Sequence, residues 1–181
     1  MNFKIKEEMI FDLQCVKGIA LQMCRRMRVC TASEMGGIEI RSVSRLVVYS
    51  DGASRGNPGP SAAAFVALTE EGRVLQKRTK YLGVKTNNQA EYLALIYALE
   101  SVSGLADQIL CRMDTQLVVR QLNGQYAVKN LQLKALRDKV CEVVCTFREV
   151  AFVHVPRTDE HVQEVDKLAN EALDKARSCL I

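Results

Sequence analysis

The sequence predicts an α/β fold: a five-stranded mixed sheet, three antiparallel strands then parallel ones, with helices on both faces. Three strand-like segments follow one another, which favours antiparallel hairpins. Alternating strand and helix patterns come next, which favour parallel crossovers. Each helix-like segment carries one apolar stripe, as expected for a helix packed on a sheet. Together these patterns predict the element order βββαβααβα.

The first strand is predicted at 45–50 (RLVVYS), which is apolar on both faces as in a central strand. A glycine-rich turn, Asp51–Pro60, follows it and places Asp51 at the strand's end. The other strands share an apolar or alternating pattern and are predicted at 62–69, 73–82, 108–113 and 149–155. The helices share a three-to-four-residue apolar spacing and are predicted from the capping box at 86–89 and over 115–122, 130–147 and 161–180.

Residues 1–44 differ from the rest and are predicted to be an N-terminal extension before a folded domain at 45–181. Apolar residues recur there at helical spacing: Met9, Leu13, Val16, Ala20, Met23 and Met27. The segment begins acidic and ends basic, as suits a helix dipole, and 31–44 reads as a linker. Three interpretations stay open: a helix packed on the body or a loose tail, a basic arm that touches nucleic acid, and a start-site artefact with translation beginning at Met35.

The composition is that of a globular domain. Hydrophobic residues make up 48% and charged residues 25%, which excludes wholesale disorder. The longest apolar run, Ala62–Leu68, is far too short to span a bilayer, so no membrane partner is expected. The seven cysteines lack zinc-site spacing and are interpreted as reduced residues of a cytoplasmic protein. The net charge of +4 permits a polyanionic partner.

Four carboxylates stand at or near the ends of predicted elements: Asp51, Glu91, Asp114 and Asp166. If the first and fourth strands are neighbours, Asp51 and Asp114 come together, and packed helices could add the other two. Clustered carboxylates repel one another and need a compensating cation. Oxygen ligands suit Mg²⁺ or Mn²⁺, and two such ions about 3.5–4 Å apart can activate water and stabilise a leaving oxygen of a phosphodiester.

The motifs in series resemble type 1 ribonuclease H, in its compact archaeal and bacterial branch. The matching segments are LVVYSDGASRGNPGP (46–60), TNNQAEYLALIYALE (86–100), MDTQLVVRQLNGQYAVKN (113–130) and FVHVPR…VDKLANEALD (152–174). Each segment alone is weak evidence for the family. Four matching segments in the same order, each centred on an acidic residue, are specific evidence. The resemblance covers about residues 45–176.

The resemblance implies an endonuclease that hydrolyses the RNA strand of RNA–DNA hybrids and leaves 5′-phosphate and 3′-hydroxyl ends. It implies that Asp51 bridges two metal ions and that Asp114 ligates one of them. It also implies that Glu91 holds one ion near the 2′-hydroxyl and that Asp166 holds the ion on the side of the attacking water. A monomer is expected.

The resemblance also implies substrate contacts, for which simpler interpretations stay open. Asn57 matches a residue that contacts the RNA strand, and Gly52 offers unobstructed backbone in the same loop. Thr86, Asn87 and Asn88 stand at a helix N-terminus that favours phosphate, although capping alone explains them too. Arg157 either contacts a phosphate or is solvated.

Two histidines lie near the last acidic motif, and the loop there departs from the family pattern. His161 falls between Pro156 and Asp166, which lie ten positions apart, and is the candidate for a mobile proton shuttle. His154 shares strand parity with apolar residues and is expected on a packed face. Two rival functions stay open: a non-catalytic nucleic-acid-binding module on the same fold, and a related nuclease acting on DNA or double-stranded RNA.

Overall fold

The computed structural model describes residues 43–178, so the predicted N-terminal helix and most of its linker lie outside the described range. The elements appear in the predicted order. They are β1 (Val43–Ser54), β2 (Gly59–Thr69), β3 (Val74–Lys85), α1 (Asn87–Val102), β4 (Ala106–Met113), α2 (Gln116–Leu122), α3 (Leu131–Val144), β5 (Glu149–His154) and α4 (Glu160–Ser178).

The five strands form one sheet in the order β3-β2-β1-β4-β5. β1 pairs antiparallel with β2, and β2 with β3, whereas β1 pairs parallel with β4, and β4 with β5. β1 lies at the centre because its side chains are apolar on both faces and both faces are covered. The predicted fold class is confirmed.

Two apolar cores lie on opposite faces of the sheet. The larger core joins α1, α2 and α3 to the sheet through side chains such as Leu46, Tyr92, Ile109 and Val140. The smaller core joins α4 to the other face through Tyr49, Ala64, Val66, Val162 and Val165. Successive strand residues point to opposite faces, so neighbouring residues of β1 belong to different cores.

The predicted end of the first strand is wrong, because β1 continues through Asp51 to Ser54. Residues Asp51–Ser54 pair with Ser61–Ala64 of β2, and this pairing supplies hydrogen bonds that a loop would lack. The parallel pairing of β1 with β4 stops earlier, at Tyr49 opposite Arg112. Asp51 therefore lies just beyond the part of β1 that pairs with β4, where β1 still pairs with β2.

Capping residues in the local sequence set the starts of two helices. Thr86 caps α1 with the predicted box: its hydroxyl accepts from the Gln89 amide, and the Gln89 side chain accepts from the Thr86 amide. Asn130 caps α3 by accepting from the amides of Gln132 and Leu133. α3 ends at Val144, three residues before the predicted Phe147.

No helix in the 43–178 range combines the length and the apolar character that a membrane crossing requires.

Candidate active site

Three acidic side chains from three elements meet beyond the carboxyl end of β4. Asp51 comes from β1, Glu91 from the first turns of α1, and Asp114 follows β4 directly. One carboxylate oxygen of each lies within 4.8 Å of those of the other two. Asp51 is 8% exposed and Glu91 6%, so both carboxylates are largely removed from water.

Gly52 permits this approach because it has no side chain. A Cβ at residue 52 would lie 2.2 Å from the carbonyl carbon of Ala90 and 2.4 Å from the amide nitrogen of Glu91. The backbone of β1 therefore packs directly on the first turns of α1. The Gly52 amide also interacts with both carboxylates and moderates the pKa of each. The structure thus gives Gly52 a packing role.

Burial and mutual repulsion disfavour the ionised form of this cluster. Burial raises the pKa of Asp51 to about 7, with further contributions from the charges of Asp114 and Asp166. Burial, followed by the charges of Asp51 and Asp114, raises the pKa of Glu91 well above its usual range. A protein that keeps both groups charged at neutral pH needs a positive charge between them.

The donor set fits a divalent metal ion. The Oε2 atom of Glu91 is buried and has no hydrogen-bond partner among the described residues. An unsatisfied buried carboxylate oxygen is costly, and a cation at this point would satisfy it. All three donors are carboxylate oxygens, which hard divalent cations prefer. The three side chains can therefore hold a divalent ion.

Asp114 is held from two sides, by the last residue of β5 and by a residue that follows this strand. The Nε atom of Arg157 donates a hydrogen bond to Oδ2 of Asp114 at 2.7 Å. The Nε2 atom of His154 lies 3.1 Å from the backbone oxygen of Asp114. The predicted packed position of His154 is wrong: it is exposed, because β5 ends there at the sheet edge.

Asp166 and His161 both lie on α4, outside the group of three carboxylates. Asp166 is exposed, and its Oδ1 accepts a hydrogen bond from Asn170 at 3.2 Å. It is close enough to Asp51 for its charge to raise the pKa of that group. His161 lies in the first turn of α4 with its ring 4.9 Å from that of Tyr49. His161 thus lies where the last helix was predicted to begin, and its role as a proton shuttle stays a prediction.

A polar groove of about 200 Å³ lies beside the N-termini of α1 and α3. Its lining consists of polar side chains and one leucine: Asn57, Thr86, Asn88, Gln89, Asn130, Gln132 and Leu133. Asn57 is fixed there, since its Oδ1 accepts from the Asn87 amide at 3.1 Å. The Gln89 side chain donates to that of Gln132 at 2.6 Å and joins the two helices.

Comparison with known proteins places this arrangement in a family. The family described as reverse transcriptase-like matches residues 49–172. Ribonuclease HI of Halobacterium salinarum is 42% identical over 133 residues, which cover 73% of this chain and 66% of that protein. The crystal structure of ribonuclease H1 from this archaeon superposes with a TM-score of 0.70 at 41% identity, over 73% of this chain and 99% of that one. The chain belongs to the type 1 ribonuclease H family.

Other relatives give the same assignment. A structure of LC11 ribonuclease H1 in complex with an RNA/DNA hybrid has a TM-score of 0.68 at 40% identity and covers 72% of this chain and 98% of that one. A bifunctional protein of Mycobacterium tuberculosis is 37% identical over 73% of this chain and 36% of its own length. The chain thus spans less than two thirds of the length of the Halobacterium and Mycobacterium relatives.

Part of the groove has no signal in the sequence. Asn130 was predicted to start a helix, but its place beside Thr86 depends on how α1 and α3 pack. Gln132 carries no sequence signal, because an exposed glutamine in a helix is ordinary. The capping box did contain Gln89, whose amide also reaches across to α3.

Proposed function

We propose that this ribonuclease H is a metal-dependent endonuclease that hydrolyses the RNA strand of RNA–DNA hybrids, leaving 5′-phosphate and 3′-hydroxyl ends. The single observation that carries the proposal is the meeting of Asp51, Glu91 and Asp114 with a buried, unpartnered oxygen on Glu91. The complex of LC11 ribonuclease H1 with an RNA/DNA hybrid supports the choice of substrate.

Asp51, Glu91 and Asp114 would hold the catalytic metal, which we propose to be two Mg²⁺ or Mn²⁺ ions. Asp166, on α4, would join Asp51, Glu91 and Asp114 in holding these ions. The charge of Asp166 reaches Asp51 and contributes to raising the pKa of that carboxyl. The bound ions would lower the pKa of a water molecule and stabilise the charge on the leaving oxygen.

The chain's own residues orient the substrate. The backbone of Glu91 packs directly on Gly52, which fixes the start of its side chain. The Glu91 carboxylate would therefore stay close to the scissile phosphate. Arg157 is 87% exposed and can turn from Asp114 toward a phosphate oxygen. We assign the polar groove, which Asn57, Thr86 and Asn88 line, to the sugar–phosphate backbone of the hybrid. Asn87 would act beside it, since its amide donates to Asn57.

Cleavage of a labelled hybrid tests the proposal. We expect internal cuts in the RNA strand alone with Mg²⁺ or Mn²⁺, and none with EDTA. Asp114→Asn is expected to abolish cleavage, whereas Asp107→Asn, an exposed carboxylate at the start of the same strand, is expected to leave it unchanged. Binding without cleavage would support the non-catalytic module instead. Cleavage of plain DNA or double-stranded RNA would support a related nuclease.

We also keep three sequence-based predictions about the protein in the cell: a cytoplasmic location, a monomeric state and no membrane partner.

A further inference from the structure

Tyr49 of β1 contacts both a neighbouring strand and the last helix on the α4 face of the sheet. Arg112 of β4 donates through Nη1 to the Tyr49 hydroxyl at 2.9 Å, and its guanidinium carbon lies 5.9 Å from the centre of the tyrosine ring. His161 of α4 lies against the same ring, with 4.9 Å between the ring centroids. Tyr49 is 3% exposed and belongs to the smaller core. These three residues are called the Tyr49 cluster below.

Each member of the Tyr49 cluster stands a few residues before one acidic residue. The intervals are two residues from Tyr49 to Asp51, two from Arg112 to Asp114 and five from His161 to Asp166. Tyr49 and Arg112 also lie directly opposite each other where β1 pairs with β4. Two strand residues span about 7 Å, and five helical residues span about 7.5 Å. The cluster therefore joins the three elements close to the points at which they supply these carboxylates.

Tyr49 makes contacts that an aliphatic residue at the same place would not make. Val47, two residues earlier on the same face of β1, packs against the smaller core with an aliphatic side chain. The Tyr49 hydroxyl adds a hydrogen bond from a charged donor, which is stronger than one from a neutral donor. The Tyr49 ring adds a tilted contact with the His161 ring, within the range of about 4.5–7 Å at which ring pairs attract. Substitutions can therefore separate the effect of the ring from that of apolar volume.

The start of α4 has a local cap, but its position depends on the sheet. The carboxylate of Asp159 accepts hydrogen bonds from the amides two and three residues later, which fixes where the helix begins. A cap of this kind does not set the distance between a helix and the sheet beneath it. Besides apolar packing, two contacts hold the first turns of α4 to the sheet: the ring contact of His161 with Tyr49, and the ion pair of Glu164 with Lys77 on β3.

We infer that Tyr49 is a positioning residue that holds the start of α4 at the distance from β1 at which Asp166 can join the metal site. Asp166 is exposed and lies outside the group of three carboxylates, so its position relative to them depends on how α4 lies on the sheet. Arg112 fixes the tyrosine ring through its hydroxyl, and the ring fixes His161. This inference rests on the proposed function, because Asp166 has a ligand role only if the site holds metal.

Calorimetric titration of the full chain with Mg²⁺ tests the inference without measuring nuclease activity. Tyr49→Leu keeps an apolar side chain and removes the ring, so the Mg²⁺ dissociation constant is expected to rise at least fivefold. Tyr49→Phe removes only the hydroxyl and is expected to raise it about threefold. Val47→Ala removes apolar contact from the same core and is expected to leave it within twofold. In an Asp166→Asn background, Tyr49→Leu is expected to have no further effect, and an equal loss of affinity in both backgrounds would overturn the inference.

Amide hydrogen exchange in EDTA tests the contact itself, because it needs no bound metal. In Tyr49→Leu the amides of residues 164–166 are expected to exchange at least fivefold faster relative to those of 170–174, which lie later in the same helix. In Val47→Ala this ratio is expected to stay within twofold. Equal acceleration along the whole of α4, or none, would overturn the inference. A parent chain that binds no Mg²⁺ would instead refute the metal site, and with it the role of Asp166, whatever the exchange shows.

Discussion

The Nε atom of Arg157 lies 2.7 Å from Oδ2 of Asp114, yet the two side chains differ sharply in exposure, at 87% and 8%. An exposed arginine thus neutralises part of a buried acidic cluster. Its charge also lowers the pKa values of Asp51 and Glu91, against the larger effects that raise them. Arg157 thus binds a carboxylate that belongs to the proposed metal site.

Arg157→Ala is expected to change metal and substrate binding in opposite directions. Loss of the guanidinium makes the cluster more negative, so the Mg²⁺ concentration for half-maximal binding should fall about threefold to tenfold. The KM for the hybrid should rise about tenfold if Arg157 contacts a phosphate. Calorimetric titration of Mg²⁺ and steady-state kinetics measure the two effects, with exposed Arg148→Ala as control. Weaker Mg²⁺ binding by Arg157→Ala would contradict this account.

The metal-free protein is expected to lose stability as the pH rises from about 4 to about 7. The pKa of Asp51 is raised from 3.8 to about 7 in the folded state, so the folded protein keeps a proton that the unfolded chain has released. The free energy of unfolding should fall across this interval by on the order of a few kcal/mol, with Glu91 acting in the same direction. Urea unfolding in EDTA measures it. Asp51→Asn should flatten the slope and Asp107→Asn should not; stability that rises with pH would refute the assignment.

Gly52→Ala is expected to damage both folding and the metal site. The added Cβ would overlap the backbone of Ala90 and Glu91 and push α1 away from β1, at a cost of about 1–3 kcal/mol. Mg²⁺ affinity should then fall at least tenfold, because Glu91 moves with α1. Gly83→Ala is the matched control: its positive φ of 72° makes alanine costly there, but nothing lies within 4 Å. Metal affinity equal to that of the parent in Gly52→Ala would show that Gly52 does not position Glu91.

Gln132→Ala is expected to weaken hybrid binding without destabilising the fold. Its side chain accepts from Gln89 across the groove and caps no helix, so the free energy of unfolding should change by less than about 0.5 kcal/mol. The dissociation constant for the hybrid, measured in an Asp114→Asn background, should rise about threefold to tenfold. Lys139→Ala, on the same helix but outside the groove, should have no effect on it. An unchanged constant for Gln132→Ala would remove the groove from the substrate path.

His161→Ala is expected to slow turnover about tenfold or more with KM within twofold, as a proton shuttle requires. The ring also contacts Tyr49, and its Nδ1 lies 3.7 Å from Glu164, so packing must be separated from proton transfer. His161→Phe keeps an aromatic ring against Tyr49 and loses the titratable nitrogens. Both variants should be equally slow if the shuttle prediction is right. Full activity in His161→Phe would assign the residue to packing.

Local sequence determined the elements of this protein and the order in which they occur. These elements depend on interactions over a few residues, so they can be predicted without tertiary information. Examples are the strand and helix periodicities, the capping box at Thr86 and the cap at Asn130. The motif series alone also singles out Asp51, Glu91, Asp114 and Asp166. The ends of the elements are predicted less accurately than their order. β1, for example, continues past Asp51 because its backbone pairs with β2 there.

The tertiary structure decided which side chains meet and which do not. Sheet order set Asp51 beside Asp114, the missing side chain of Gly52 let α1 bring Glu91 to them, and Asp166 remained outside the closest group. The exposed position of His154 arose from where β5 ends at the edge of the sheet. Such relationships depend on contacts between residues far apart in the chain, and no local pattern encodes them.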